Sequence, residues 1–432
     1  MHLARVMLKL GVAVVLALGG VAAADRTLTL DEALAQARIH NRDLHAARAR
    51  VQAAQTGIEQ ARAAFLPTVT AQGKYTHNYK QVAIDFGAIV PGAGAIIIQK
   101  GEQLDANLNA SVPLLAPAAY GAYRAAKLSA RASEGTYAVT TASVMLAVAQ
   151  AYYASAGADE IVTARTNAVA VAKETFDNAK ARVAADVANQ VEVTRAETAL
   201  VRAEQAQAES ENARATAYRG LATLVGTRDA IHVDPRPVPP APLAPVEELV
   251  TQARTRRPEL AVERDLIASA EATAMSDRWR WAPTLSAFGQ VHVGNYAGFS
   301  GDRYAWAAGL SLDWLLYDGG ARDAQRHLAE AQRTEGEAKL ELLGDSVADE
   351  VANARGTLET KRKALVSAQR AGELARETLR LIRAQFDAGT TRQLDVLEAQ
   401  DTLVGADVDV ARARFELALA DIELRRAAGA FP

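Results

Sequence analysis

Apolar and polar residues alternate along Tyr304–Trp314: Tyr304, Trp306, Ala308, Leu310, Leu312 and Trp314 oppose Ala305, Ala307, Gly309, Ser311 and Asp313. Successive strand side chains point to opposite faces, so this pattern predicts a strand with one apolar and one wet face. A tilted strand of about eleven residues is also long enough to cross a bilayer. A strand in a soluble sandwich alternates too, so this segment alone does not decide. The pattern recurs three times. Thr68–His77 sets Thr68, Thr70, Gln72, Lys74 and Thr76 against Val69, Ala71, Gly73 and Tyr75. Residues 104–113 set Leu104, Ala106, Leu108, Ala110 and Val112 against Asp105, Asn107, Asn109 and Ser111. Residues 284–296 alternate likewise.

Between the strands the period changes to that of helices. Thr29-Leu-Asp-Glu32 reads as a capping box opening a helix to about Ala64, with a break near Asn41. From about Ala118 to Val183 there is no proline, and apolar residues recur every three or four positions. Such a helix is roughly 100 Å long at 1.5 Å per residue, a length that needs a coiled-coil or helical-barrel context. A break near 184–189 and a second helix over about 190–224 predict an antiparallel hairpin. Residues 234–245 are a stiff proline-rich linker. Beyond it the order repeats: a helix broken at Pro258, strands 284–296 and 304–314, a tight turn at Gly319-Gly320, and a hairpin with its tip near 387–391. The reading is an internal duplication, 25–233 and 246–432. Residues 78–103 are read as a loop around an apolar patch, Ala95–Ile98.

Four strands with exposed edges cannot stand alone in lipid, and closed membrane barrels need about eight or more. If these strands span a membrane, several chains must share one barrel. The wet faces would then line its lumen, with Thr68, Gln72, Lys74, Asn107, Asn109, Gln290, His292 and Asp313. All four tryptophans lie in or beside the second strand pair. Trp281, Tyr304, Trp306 and Trp314 fit an aromatic belt against membrane lipid. Packing in a soluble core is the competing reading.

Composition sharpens this picture. Half the residues are apolar but only 5% are aromatic, which favours long helices in close contact over a bulky core. Met1–Ala24 has the basic start, apolar run and small-residue end of a secretory signal. The remaining chain has no run of eighteen apolar residues. A net charge of -3 shows no bias toward nucleic acid, and the absence of cysteine removes disulfides, thiolate metal sites and a lipidated N-terminus. No zincin, P-loop or dinucleotide signature is present. The sequence therefore predicts neither catalytic residues nor a cofactor.

The chain resembles the TolC-like outer membrane efflux protein family over nearly its whole length. The resemblance rests on Phe65-Leu-Pro-Thr68, its echo Trp281-Ala-Pro-Thr284, the strand exit Leu312-Asp-Trp-Leu-Leu-Tyr-Asp-Gly-Gly320, the tip Phe386-Asp-Ala-Gly-Thr390, and Leu394-Asp-Val-Leu-Glu398. It implies a mostly α fold with transmembrane β. Two strand pairs per chain would build a homotrimeric twelve-stranded barrel in a Gram-negative outer membrane. Long coiled-coil hairpins would form an α-helical barrel through the periplasm. It also implies two partners, a periplasmic adaptor and an inner-membrane transporter, which would meet tips at Asp186, Val187, Ala188, Gly389, Thr390 and Thr391. Asp395 and Glu398 match an acidic ring at the periplasmic constriction, and Glu192 matches an acidic position of the first tip. Asp186 departs from the family, which often has glycine there.

The resulting expectation is a passive exit duct of a tripartite efflux pump or type I secretion system. A periplasmic coiled-coil adaptor or scaffold is the alternative. Adaptors carry one hairpin flanked by β-rich domains, whereas this chain alternates two hairpins with short strand pairs.

Overall fold

The computed structural model describes residues 27–85, 94–234, 244–297 and 302–431. The signal-like segment and most of the proline-rich linker lie outside the described residues. Two short helices, α1 (Leu30–His40) and α2 (Arg42–Ala63), open the chain. Thr29 and Glu32 form the reciprocal cap of α1, and Asn41 ends α1 while its carboxamide caps α2. The second repeat opens in the same way, with α5 (Val246–Arg256) and α6 (Pro258–Trp279) broken at Arg257 and Pro258.

The first long hairpin is α3 (Pro117–Ala184) with α4 (Gln190–Val225), and the second is α7 (Ala321–Asp387) with α8 (Gln393–Ala427). Small residues let these helices lie close. A Cβ on Gly121 of α3 would stand 2.6 Å from the Ser276 backbone of α6, while Ser276 and Ser269 hydroxyls donate to the Ala118 and Ala125 carbonyls at 2.7 and 3.0 Å. The largest apolar cluster is midway along the bundle, where Met145, Val148, Tyr152 and Leu221 pack with α1 and Phe415.

Two short parallel strands also meet there, β1 (Thr27–Leu28) and β6 (His232–Val233). Alternation did not reveal them, because two residues carry no period. The Tyr152 hydroxyl sits between their ends, donating to the Asp234 carbonyl at 2.6 Å with the Leu28 carbonyl 3.1 Å away. Across the bundle, the buried Arg257 joins Glu259 and Glu350, and Arg426 of α8 reaches the same Glu350 at 2.7 Å.

The remaining strands are β2 (Thr68–His77), β3 (Val82–Asp85), β4 (Ala95–Gln99), β5 (Glu102–Leu115), β7 (Thr284–Gly294) and β8 (Tyr304–Asp313). β2, β5, β7 and β8 form one antiparallel sheet in that order. β7 ends two residues before the alternation does, where Asn295 turns to bond the Leu104 backbone through both its amide and its side chain. Within the segment read as a loop over 78–103, Val82–Asp85 and Ala95–Gln99 form a two-stranded ribbon, because β3 and β4 pair antiparallel with Ile84 opposite Ile96. Its apolar residues fall on both faces and so showed no alternation. Asn78 holds the ribbon's base to Gly101 and Lys100.

Candidate functional site

Directly opposed residues of a sheet share a face, so the register decides what lies together. Asn109 faces Thr70 on one side and Gln290 on the other; Asn107 faces Gln72 and His292; Asp105 faces Lys74 and Gly294. Thr68 stands opposite Ser111, and Thr284 opposite Asp313. Thr68, Gln72, Lys74, Asn107, Asn109, Gln290, His292 and Asp313 therefore occupy one face. Phe288 interrupts this face, its ring covering Gly309, where a Cβ would stand 3.1 Å away. The other face carries Val69, Leu108, Val291, Trp306, Tyr304 and Leu310. Trp306 and Leu310 are about two-thirds exposed, at 69% and 66%, so among the described residues nothing covers this apolar face.

Tyr304 and Trp306 lie on this face within β8, whereas Trp314 and Trp281 sit just beyond the strands. There the Trp314 indole donates to the Trp281 carbonyl at 3.0 Å. Below them the strand turns into α7 through Gly319 and Gly320, both left-handed at φ +71° and +88°. Asp318 accepts from the amides of Gly320 and Arg322, and Arg322 Nε reaches it at 2.8 Å. Arg322 was missed in the sequence because its charge sits on a helix and shows burial only after folding.

All four sheet strands connect to helices at the same end of the sheet. The hairpins run from that end to two tips built alike. Asp186 is left-handed at φ +55° and Gly389 at +76°. The Val187 amide donates to the Arg182 carbonyl and the Thr390 amide to the Gln385 carbonyl, both bridging five residues as in a Schellman closure. Aspartate tolerates this conformation better than most residues, so its presence in place of glycine does not alter the turn. Asp186, Val187, Gly389 and Thr390 are exposed, while Ala188 and Thr391 are partly covered.

The two tips touch, the Arg182 guanidinium lying 4.5 Å over the Phe386 ring. Behind them, Gln400 of α8 donates to Thr175 of α3 at 3.1 Å. Asp395 is occupied locally: Thr391 Oγ1 and the Arg392 amide donate to its carboxylate at 2.8 and 3.0 Å. These two donors hold the carboxyl below the usual range. Glu398 is exposed. Glu192 has one carboxylate oxygen buried without a hydrogen-bond partner among the described residues. These three acids therefore differ in setting, although the sequence grouped them.

Among the described residues, no helix is long and apolar enough to cross a membrane, and no group of three or more His, Cys, Asp or Glu could hold a metal. The match to known proteins follows the duplication. The outer membrane efflux protein family matches residues 33–227 and again 249–430. Outer membrane protein TolC of Vibrio cholerae is 24% identical over 430 residues, covering 96% of this chain and 93% of the relative. Outer membrane protein OprJ of Pseudomonas aeruginosa is 25% identical over 403 residues, covering 90% and 81%. A crystal structure of a membrane protein from Pseudomonas aeruginosa superposes with a TM-score of 0.77 at 22% identity, covering 93% of each chain. With both repeats matched and the fold shared end to end, the chain belongs to the outer membrane efflux protein family and resides in the outer membrane, its helices extending into the periplasm.

Proposed function

We propose that the protein is the homotrimeric exit duct of a tripartite efflux pump or type I secretion system, passing substrates delivered by an inner-membrane transporter and its periplasmic adaptor. The observation that carries this reading is a four-stranded sheet that has, among the described residues, one wet face, one uncovered apolar face, and two unpaired edges at β2 and β8. Backbone groups along such edges cannot remain unpaired in lipid. Three copies joined β8 to β2 keep every neighbour antiparallel and give twelve strands. The wet faces then line water and the apolar faces meet lipid. The hairpins hang from one end of this barrel and extend it as a helical conduit, with the tips furthest from the membrane as the contact for the adaptor. The duct itself performs no chemistry; opening is a splaying of packed hairpins. An adaptor role has no support in a match that spans both repeats as efflux protein.

The test is the molar mass of the protein extracted in detergent from outer membranes, followed by conductance in a planar bilayer. A mass near three chains with steady conductance supports the duct. A water-soluble monomer overturns it.

A further inference from the structure

We propose that Asp105 and His292 form a binding site for a divalent transition-metal ion of the zinc class on the wet face of the sheet. Nδ1 of His292 lies 3.0 Å from Asn107 Oδ1. An amide oxygen only accepts, so Nδ1 carries a proton in this bond, and in the neutral imidazole the Nε2 lone pair is then free. Nε2 faces Asp105 Oδ1 at 3.5 Å. That oxygen is buried and accepts no hydrogen bond among the described residues, on a side chain only 10% exposed. In that neutral form a nitrogen lone pair and a carboxylate oxygen face each other.

The space beside them is open because the residue opposite Asp105 is Gly294. A Cβ there would stand 3.3 Å from His292 Nε2, 3.6 Å from Asp105 Oδ1 and 3.6 Å from the Tyr296 carbonyl oxygen. Three donors therefore surround the position that a side chain would fill. Zinc bonds of about 2.1 Å to nitrogen and oxygen at a tetrahedral angle put those two atoms about 3.4 Å apart, close to the separation found. The outer shell is also present. Asn107 fixes the imidazole, and Gln103 Nε2 donates to the other Asp105 oxygen at 2.8 Å while reaching the Tyr296 hydroxyl at 3.0 Å. With two strong ligands and a carbonyl, water completes the coordination and the ion can exchange.

The site rests on local geometry; only its placement in a lumen rests on the duct reading. The experiment is a Co2+ titration of the purified protein in detergent, followed by visible absorption and displacement with Zn2+. The wild type is expected to show a saturable band that zinc removes. His292→Ala and Asp105→Asn should lose it, and Gly294→Ala should lose it with both ligands in place. Asn107→Ala should weaken binding roughly 10- to 100-fold. Near-ultraviolet circular dichroism and the detergent mass verify that each variant folds. Superimposable titrations of wild type and His292→Ala overturn the site. So does an imidazole that responds to pH but not to zinc, which would make the pair a proton-linked ion pair instead. Saturable binding by a protein that forms no bilayer conductance sustains the site and counts against the duct.

Discussion

The guanidinium carbon of Arg322 lies 3.8 Å over the ring of Trp281. Arg322 belongs to the first turn of α7, and Trp281 to the turn that leads from α6 into β7. The same guanidinium donates to the Arg280 carbonyl at 3.2 Å and pairs with Asp318 at 2.8 Å. One side chain, 2% exposed, thus ties the way into β7 to the way out of β8.

Arg322→Ala would leave Asp318 without its guanidinium and the Arg280 carbonyl without a donor. The expected outcome is a loss of stability, because the stacking on Trp281 and both charge-assisted bonds of the buried guanidinium are removed together. Arg322→Lys should recover only part of it, since an ammonium has neither the planar fork nor the stacking face. Thermal melting followed by tryptophan near-ultraviolet signal reads both, and equal melting temperatures for wild type and Arg322→Ala would rule out the tie.

The two tips should answer oppositely to matched substitutions. Gly389→Ala forces a Cβ into left-handed backbone and is expected to cost about 1–2 kcal/mol. Asp186→Gly relieves that penalty, and tip amides around 186–187 should exchange no faster than in the wild type. Hydrogen exchange at the two turns is the measurement. Equal effects of both changes would mean that the turns do not share their conformation.

Alkaline pH should loosen the middle of the bundle. Burial, with added repulsion from Tyr153 and Asp234, pushes the Tyr152 hydroxyl up to about 12. The folded protein therefore holds this proton more tightly than the unfolded chain, whose tyrosines ionise near 10. The stabilisation is complete below pH 10 and fades as pH rises toward 12. Tyr152→Phe should lower stability by about 1–2 kcal/mol at neutral pH and flatten this alkaline fall. Denaturation midpoints across that range check it.

At the second tip, Asp395 and Glu398 should separate by function. Asp395 is engaged with Thr391 and Arg392, so Asp395→Ala should speed amide exchange in the first turn of α8. Because its pKa is lowered from 3.8, the cap is complete above that value and is lost as pH falls through the lowered pKa. Glu398 is exposed, and Glu398→Ala should reduce divalent-cation block of conductance with little effect on that exchange. A block that depends on Asp395 alone would reverse these roles.

Long periods were readable from sequence, and short elements were not. The strand faces follow from residues 304–314 because tryptophan and leucine alternate there with alanine, glycine and serine. The ribbon of β3 and β4 escaped because Ile96, Ile97 and Ile98 are apolar on both faces and give no period. The wet-face residues were found by their parity, yet Asp105 was not singled out. Its importance lies in a pairing with His292 that depends on register across a long separation. Likewise, nothing in the sequence distinguishes Asp395 from Glu398; only the backbone at Arg392 shows which carboxylate is occupied.

The strict face-sharing of Thr70, Asn109 and Gln290 limits how these strands can change length. In the barrel proposed above, removing a single residue from one strand would turn every later side chain of that strand over, presenting polar groups to lipid and aromatics to water. Removing two keeps each on its side and shortens that strand by about 6.6 Å. The strands of that barrel can therefore match a thinner or thicker membrane only in even steps, and single-residue changes of length belong in the turns.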